Sequence, residues 1–367
     1  MKRALDKIKI KGYKSIRNLE RLELSNLNVL IGANGSGKSN FISIFRLLNQ
    51  IVDENLQVFI GQAGGANRFL YLGQKQTEQI EVSLTFGDNS YSCCLVPAAG
   101  DRLIFGKEEI SYHNRNYPSP RTISLGGGHR ETELIEESEN EPERVNIADY
   151  VIKAIRSWKV YHFHDTSATA RVKQEGDIND NESLRSDASN LAAFLYFLKE
   201  KQQPYYRKIL AIIRRVAPFF NEFTLRPNPL NDKTILLEWQ ELGSDAYFDA
   251  NMLSDGTLRF ICLATLLLQP NLPSTILIDE PELGLHPYAI QLLVGMLRSA
   301  SVQTQVIVST QSVPLVNQLT PEDIIVVDRE NNQSTFRRLD GKELENWLED
   351  YGLGDLWEKN LLGGRPG

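Results

Sequence analysis

Cysteine is nearly absent from this chain: Cys93, Cys94 and Cys262 are the three thiols in 367 residues. So few cannot staple a fold, and none stands in a Cys-x-x-Cys or Cys/His cluster of metal-site spacing, which excludes disulfide scaffolds and zinc modules. Long apolar runs are missing as well. No stretch approaches eighteen uninterrupted apolar residues, so no helical membrane span is expected. The opening MKRALDKIKIKGYKS is interrupted by charge too often for a signal peptide, and a reducing, cytoplasmic home is the expectation. An excess of positive charge is also lacking: 40 Lys and Arg stand against 47 Asp and Glu, a net charge of −7. That excludes a surface built throughout to neutralise phosphates and leaves room only for a local basic patch. No heptad pattern is sustained, which excludes long coiled-coil arms. What remains is enough apolar material for one large domain or two ordinary ones.

Along the chain, LDKIKIKGYKSIRNLERLEL alternates apolar and polar residues around a Gly-Tyr break and predicts two antiparallel strands. NLNVLIG is a compact apolar strand, followed by a glycine turn at 32–39 and by NFISIFRLLNQIV at helical spacing. After a Gly/Gln-rich loop (61–76), EQIEVSLTF, YSCCLV, DRLIFG and EEISYH predict a meander of short strands. The region 1–116 is thus an N-terminal lobe. Residues 117–146, with a triple glycine and a dense acidic run, are expected as a flexible surface loop. A helical insertion is expected over 147–245, containing the strand WKVYHFHD and helices in SDASNLAAFLYFLKEK and YYRKILAIIRRV, with TILLEWQE as a further strand. From 246 to 367 helices and buried strands alternate, which implies a parallel sheet covered by helices.

Gly32-Ala33-Asn34-Gly35-Ser36-Gly37-Lys38-Ser39 satisfies GxxxxGK[ST] at every defined position, between a strand and a helix. Glycines let successive backbone N–H groups point at phosphate oxygens, the helix N-terminus adds partial positive charge, Lys38 reaches the β- and γ-phosphates, and the Ser39 hydroxyl suits Mg²⁺. Far downstream, the apolar strand Thr275–Ile278 ends in Asp279 and Glu280, placed to hold the metal through water and to orient or deprotonate an attacking water. Leu253-Ser254-Asp255-Gly256-Thr257 precedes the apolar helix LRFICLATLLL and forms a second anion site of the same physical type. One nucleotide does not need two such sites in one chain. The second is therefore read as meeting the γ-phosphate of ATP held by another copy.

The order GANGSGKS, LSDGT, ILIDEPELGLHP and VIVSTQS resembles the ABC-type ATPase heads of the RecF, SMC and OLD (overcoming lysogenization defect) families, most closely the stand-alone ATPases of bacterial defence and repair loci. The resemblance covers most of the chain, least firmly about 90–245. It implies a single α/β head of P-loop, ABC-ATPase type with a mixed sheet, an N-terminal antiparallel β subdomain and a helical insertion, using ATP and Mg²⁺. On this resemblance Gly32, Asn34, Gly35, Ser36, Gly37, Lys38, Ser39 and Asn40 hold phosphates, Ser254 and Gly256 belong to the signature, and Asp279 and Glu280 form the acidic strand end. Gly284, Leu285 and His286 fall at the turn that crosses the dimer interface. Gln311 stands where many relatives carry the switch histidine, and Asp255 where transporter signatures have a second glycine. Glutamine cannot take up a proton usefully, so slow or regulated hydrolysis is expected. The metal-sensing glutamine is read as Gln62, with Gln74 as the alternative, and Lys14 resembles a basic residue sent toward the nucleotide.

Substrate signals are few. Lys199, Lys201, Arg207, Lys208, Arg214 and Arg215 offer a basic face for DNA or RNA against the reading of an ordinary solvated face. His162 and His164 alternate on one strand and share a face, open to packing, catalysis or metal binding. No TOPRIM nuclease domain follows the last helix, unlike OLD nucleases, so a separate nuclease or toxin partner is expected. Two functions stay open: an ATPase that drives or times a nucleic-acid-directed process in antiphage defence or repair as an ATP-sandwiched dimer, or a nucleotide-gated scaffold with little turnover that holds an effector.

Overall fold

In the computed structural model, which describes residues 4–113, 119–140 and 146–364, the alternating text around Gly12 forms the antiparallel pair β1 (Lys7–Tyr13) and β2 (Ile16–Glu23). Ile8 and Ile10 turn inward, as period-two patterning requires of a half-buried sheet, and Tyr13 at the strand end is buried as well. All five residues of β3 (Leu27–Ile31) are buried, which marks a strand covered on both faces. The glycine turn leads into α1 (Lys38–Val52), followed by α2 (Leu56–Gln62). β4 (Ile80–Phe86), β5 (Asn89–Ala98), β6 (Arg102–Tyr112) and β7 (Arg121–Gly126) complete a six-stranded antiparallel sheet in the order β2-β1-β4-β5-β6-β7. Next come α3 (Leu134–Asn140), α4 (Ile147–Arg156) and β8 (Trp158–Tyr161).

A smaller lobe follows, with β9 (Gly176–Asp177), α5 (Leu191–Lys201), α6 (Gln203–Val216), β10 (Phe220–Thr224), β11 (Pro227–Asn228), β12 (Asn231–Ile235), β13 (Glu238–Glu241) and β14 (Tyr247–Asp249). Its strands form two three-stranded sheets. The chain then runs through α7 (Asp255–Leu268), β15 (Thr275–Asp279), α8 (Pro287–Ser301), β16 (Gln305–Thr310), α9 (Val313–Val316), β17 (Ile324–Glu330), β18 (Gln333–Arg338), α10 (Gly341–Leu348) and α11 (Leu353–Glu358).

The central sheet has the order β18-β17-β3-β16-β15-β8, parallel from β17 to β8, with β18 antiparallel at one edge. Its strands divide two cores. Val29, Ile31, Ile276, Ile278, Val306 and Val308 face the side of α5 to α8, whereas Leu30, Leu277 and Ile307 face α1, α4 and the N-terminal sheet. Because the strands are parallel, the residues that follow β3, β15, β16 and β8 emerge along one crest, where open α/β sheets bind ligands.

Several expectations change. DRLIFG and EEISYH are one strand, β6, and TILLEWQE breaks into β12 and β13. The segment 117–146, expected as a flexible acidic loop, carries β7 and α3; residues 117, 118 and 141–145 lie outside the described ones. Leu134 supplies a fully buried anchor, and Glu131 accepts hydrogen bonds from the backbone N–H groups of Leu56 and Gln57 at 2.9 and 3.0 Å. The insertion expected over 147–245 opens with two elements of the main body. α4 packs on α1, and β8 pairs with β15 as the edge of the central sheet, so the smaller lobe begins only after Tyr161. Alternation of apolar residues revealed β8 but could not say which strand it would join.

Candidate nucleotide site

The turn after β3 is shaped by its glycines. Gly35 and Gly37 have φ of 77° and 115°, a region that side chains with a Cβ rarely adopt. A Cβ on Gly37 would also collide with Ser334 Oγ of β18, and one on Gly32 with the carbonyl of Val327 in β17. Ser334 Oγ donates to the Ser36 carbonyl at 2.5 Å and shares a hydrogen bond with Ser15 Oγ at 2.7 Å, and Asn40 Nδ2 donates to the same Ser15 oxygen at 2.7 Å. The loop is thus wedged between the β1–β2 turn and the last hairpin. α1 begins at Gly37 with no side-chain cap and no acidic residue in its first turn, leaving its leading N–H groups uncapped by side chains. Lys38, 5 % exposed, donates to the carbonyls of Gly32 and Ala33 at 2.7 and 3.0 Å. Burial lowers its pKa, while Glu280, Asp279 and Glu282 pull it back up. Four residues that belong to opposite ends of the sequence therefore share one field.

The acidic strand end lies beside this loop. Asp279 accepts from Ser309 Oγ of β16, and Glu280, at φ 45°, is held by its own N–H to the Ser309 carbonyl at 2.9 Å. Gln311 bridges: its Nε2 donates to a Glu280 carboxylate oxygen and, at 2.7 Å, to Asn34 Oδ1 of the glycine turn. Glu282, to which sequence reasoning gave no role, accepts from Thr310 Oγ1 at 2.5 Å and from the Gln311 backbone N–H at 3.1 Å. Burial raises its pKa, and its second carboxylate oxygen is buried with no hydrogen-bond partner. Its presence three residues after Asp279 was visible in the text DEPELGLHP; its contact with the end of β16 was not.

The other candidates are placed as follows. Ser254 caps α7, accepting from the Thr257 N–H at 3.2 Å, and Gly256 packs so tightly on the Gly284 carbonyl that a Cβ there would overlap it. His286 caps α8 through Nδ1. Lys14 sits at φ 48° between the rings of Tyr13 and Phe69 and donates to Ser43 Oγ of α1 at 2.9 Å; burial lowers its pKa. Gln62 ends α2 exposed, and Gln74 donates to Asp101 at 3.0 Å; among the described residues neither is hydrogen-bonded to the glycine turn, Asp279 or Glu280. A histidine just after β8 reaches Asp279. His164 Nε2 is 2.7 Å from the Asp279 carbonyl, and its ring meets that of His162 edge to face, centroids 5.9 Å apart. Burial, then the Arg46 charge, push the His162 pKa down to about 4. On the proposed basic face, Arg214 donates to the Asn221 carbonyl at 2.7 Å and Arg215 to Tyr288 Oη at 3.3 Å, so both are engaged within the chain.

This geometry has counterparts among known proteins. The family described as "AAA ATPase domain" matches residues 1–190, and the one described as "AAA domain, putative AbiEii toxin, Type IV TA system" matches residues 101–317. The chain belongs to the AAA ATPase family. In fold, this ATPase is similar to an SMC head solved bound to the C-winged helix domain of ScpA, at 17% identity over 93% of this chain and 99% of that one, TM-score 0.60. It is also similar to the Pyrococcus furiosus Smc head domain with an extended coiled coil, solved with the C-terminal domain of ScpA, at 17% identity over 94% and 98%, TM-score 0.53. No curated protein sequence matches it. The architecture is that of the P-loop, ABC-like heads of the RecF/SMC group, as the motif order implies. No helix among the described residues is long and apolar enough to cross a membrane.

The residues present fit a magnesium nucleotide. Ser36 Oγ is buried without a partner, the α1 N-terminus has no side-chain cap, and Ser39 with Asp279 supplies the hard oxygens that Mg²⁺ prefers.

Proposed function

We propose that this chain binds ATP with Mg²⁺ on the turn 32–39 and hydrolyses it slowly, two copies closing on the nucleotide. The observation that carries the reading is the Gln311 bridge, which ties the proposed base Glu280 to Asn34 of the phosphate loop. Backbone N–H groups of 34–39 and the α1 terminus hold the phosphates, with Lys38 released from the Gly32 and Ala33 carbonyls to neutralise them. The Ser39 hydroxyl and Asp279 would hold Mg²⁺, which spreads the charge of the leaving phosphates. Glu280 orients water and accepts its proton. Gln311 can align that water but not take its proton, and in the structure it occupies a Glu280 oxygen, which supports slow turnover. Ser254 and Gly256, on the N-terminus of a fourteen-residue helix, would face the γ-phosphate held by the other copy.

The process served is proposed to be nucleic-acid-directed defence or repair through a separate nuclease or toxin, in keeping with the resemblance and with the toxin–antitoxin system that one family description names. The engaged Glu280 favours a second reading as well, a nucleotide-gated scaffold that holds its effector and turns over little.

Glu280→Gln is expected to retain ATP and elute as a dimer with ATP but as a smaller species without it, whereas Lys38→Ala loses nucleotide binding. Identical elution in both conditions sinks the two-copy arrangement; for a constitutive oligomer, an engineered cysteine crosslink between 32–39 and 253–257 decides. Wild-type phosphate release indistinguishable from Glu280→Gln, with ATP still bound, favours the scaffold.

A further inference from the structure

The crest carries one more contributor than the sequence motifs name. β8 pairs in parallel with β15, Tyr161 opposite Ile278, so the residues after Tyr161 emerge beside Asp279. There His164 Nε2 lies 2.7 Å from the Asp279 carbonyl. A carbonyl only accepts, so Nε2 carries the proton and donates. The segment bearing His164 is fixed from its other side by Arg259 of α7. That guanidinium, almost fully buried, donates to the Phe163 carbonyl at 2.9 Å, to the His164 carbonyl at 3.2 Å and to the Leu283 carbonyl. Leu283 adjoins Gly284, on whose carbonyl Gly256 packs. A continuous set of contacts therefore joins the N-terminal turn of α7, the turn after Glu280 and the end of β15, and His164 is its link to Asp279.

We propose that His164 is a positioning residue of the nucleotide site: its Nε2–H holds the end of β15, and so the Asp279 carboxylate and Glu280, in the orientation that metal-assisted nucleotide binding needs, and ties that orientation to α7. This rests on the reading of 32–39 with Asp279 as a magnesium–nucleotide site. An outer residue that orients a metal-bearing carboxylate typically contributes 10–100-fold in metal affinity or activity. The donor's place gives the idea a sharp form. A glutamine can present an amide N–H where Nε2 stands, whereas asparagine is one methylene too short and alanine has no donor.

The experiment measures the affinity of a fluorescent ATP analogue in EDTA and in Mg²⁺ for wild type, His164→Ala, His164→Asn and His164→Gln, together with turnover. Affinity in EDTA is expected to stay within about twofold in all variants. The gain on adding Mg²⁺ should fall by about tenfold in the alanine and asparagine variants, their kcat should drop by a similar factor, and glutamine should restore both. Three outcomes overturn the proposal: an unchanged Mg²⁺ gain in His164→Ala, a glutamine variant as impaired as alanine, or a parallel loss of affinity in EDTA, which marks a merely structural histidine. A wild type that binds nucleotide but never turns it over defeats the hydrolytic reading alone, because the Mg²⁺ gain still reads His164. A wild type that binds none defeats both.

Discussion

His162 illustrates how burial sets chemistry one side chain at a time. Its Nε2 is buried and unpartnered, and desolvation with the neighbouring Arg46 charge holds its pKa at about 4, below the ordinary 6.5. Between those two values the unfolded chain binds a proton that the folded chain refuses. Stability contributed by the neutral ring is therefore complete above pH 6.5 and is lost as pH falls toward 4. The melting temperature of wild type should decline more steeply over that window than that of His162→Gln, measured by scanning calorimetry at matched ionic strength. Parallel declines would show that His162 is not held neutral by its surroundings. Lys38 follows the same physics with a different outcome. Burial disfavours its charge, but three carboxylates from the far end of the chain favour it, and phosphates would do so further.

At the scale of elements, the segment after β6 shows how an acidic, glycine-rich text acquires structure. Glu108 of β6 is completely buried, yet it is well provided with donors: Tyr91 Oη at 2.8 Å, Thr132 Oγ1 at 2.5 Å and the Glu133 N–H at 3.0 Å. Two of those donors come from the stretch just before α3, so the carboxylate clasps that stretch onto the N-terminal sheet. Removing it takes away the carboxylate acceptor to which two buried hydroxyls donate, at a cost of about 1–3 kcal/mol each. Glu108→Ala is expected to lower the unfolding free energy by about 3 kcal/mol in urea titration and to speed hydrogen exchange over 121–140. A variant that keeps slow exchange in that segment would show that Leu134 and Glu131 suffice to hold it. Periodicity could not have found this clasp, because a single glutamate in an alternating strand reads as a solvent-facing residue. The same limit hid the role of β8, whose neighbour in the sheet, β15, lies more than a hundred residues away.

For the molecule as a whole, the two cores meet at a central sheet that joins both ends of the sequence, with β3 between β16 and β17. Nucleotide held by the turn after β3 and by Asp279 would bind the native arrangement and not the unfolded chain. At 100 times its dissociation constant such a ligand adds about 2.7 kcal/mol. Mg²⁺ with ATP should therefore raise the wild-type melting midpoint by about 3–4 °C and leave Lys38→Ala unmoved; an equal rise in both would place the nucleotide elsewhere. The sequence by itself determined the α/β class, the glycine turn, the acidic strand end and the alternation of 246–367, because each is written in local spacing, either side-chain period or the residue types that phosphates demand. Tertiary structure alone decided which distant groups meet: Gln311 with Asn34, Glu282 with Thr310, and His164 with Asp279. Those meetings depend on strand order in a parallel sheet, and strand order is a property of how covered faces pack together. No local pattern encodes it, so the low cysteine count that excluded a metal cluster said nothing about the histidines at the crest.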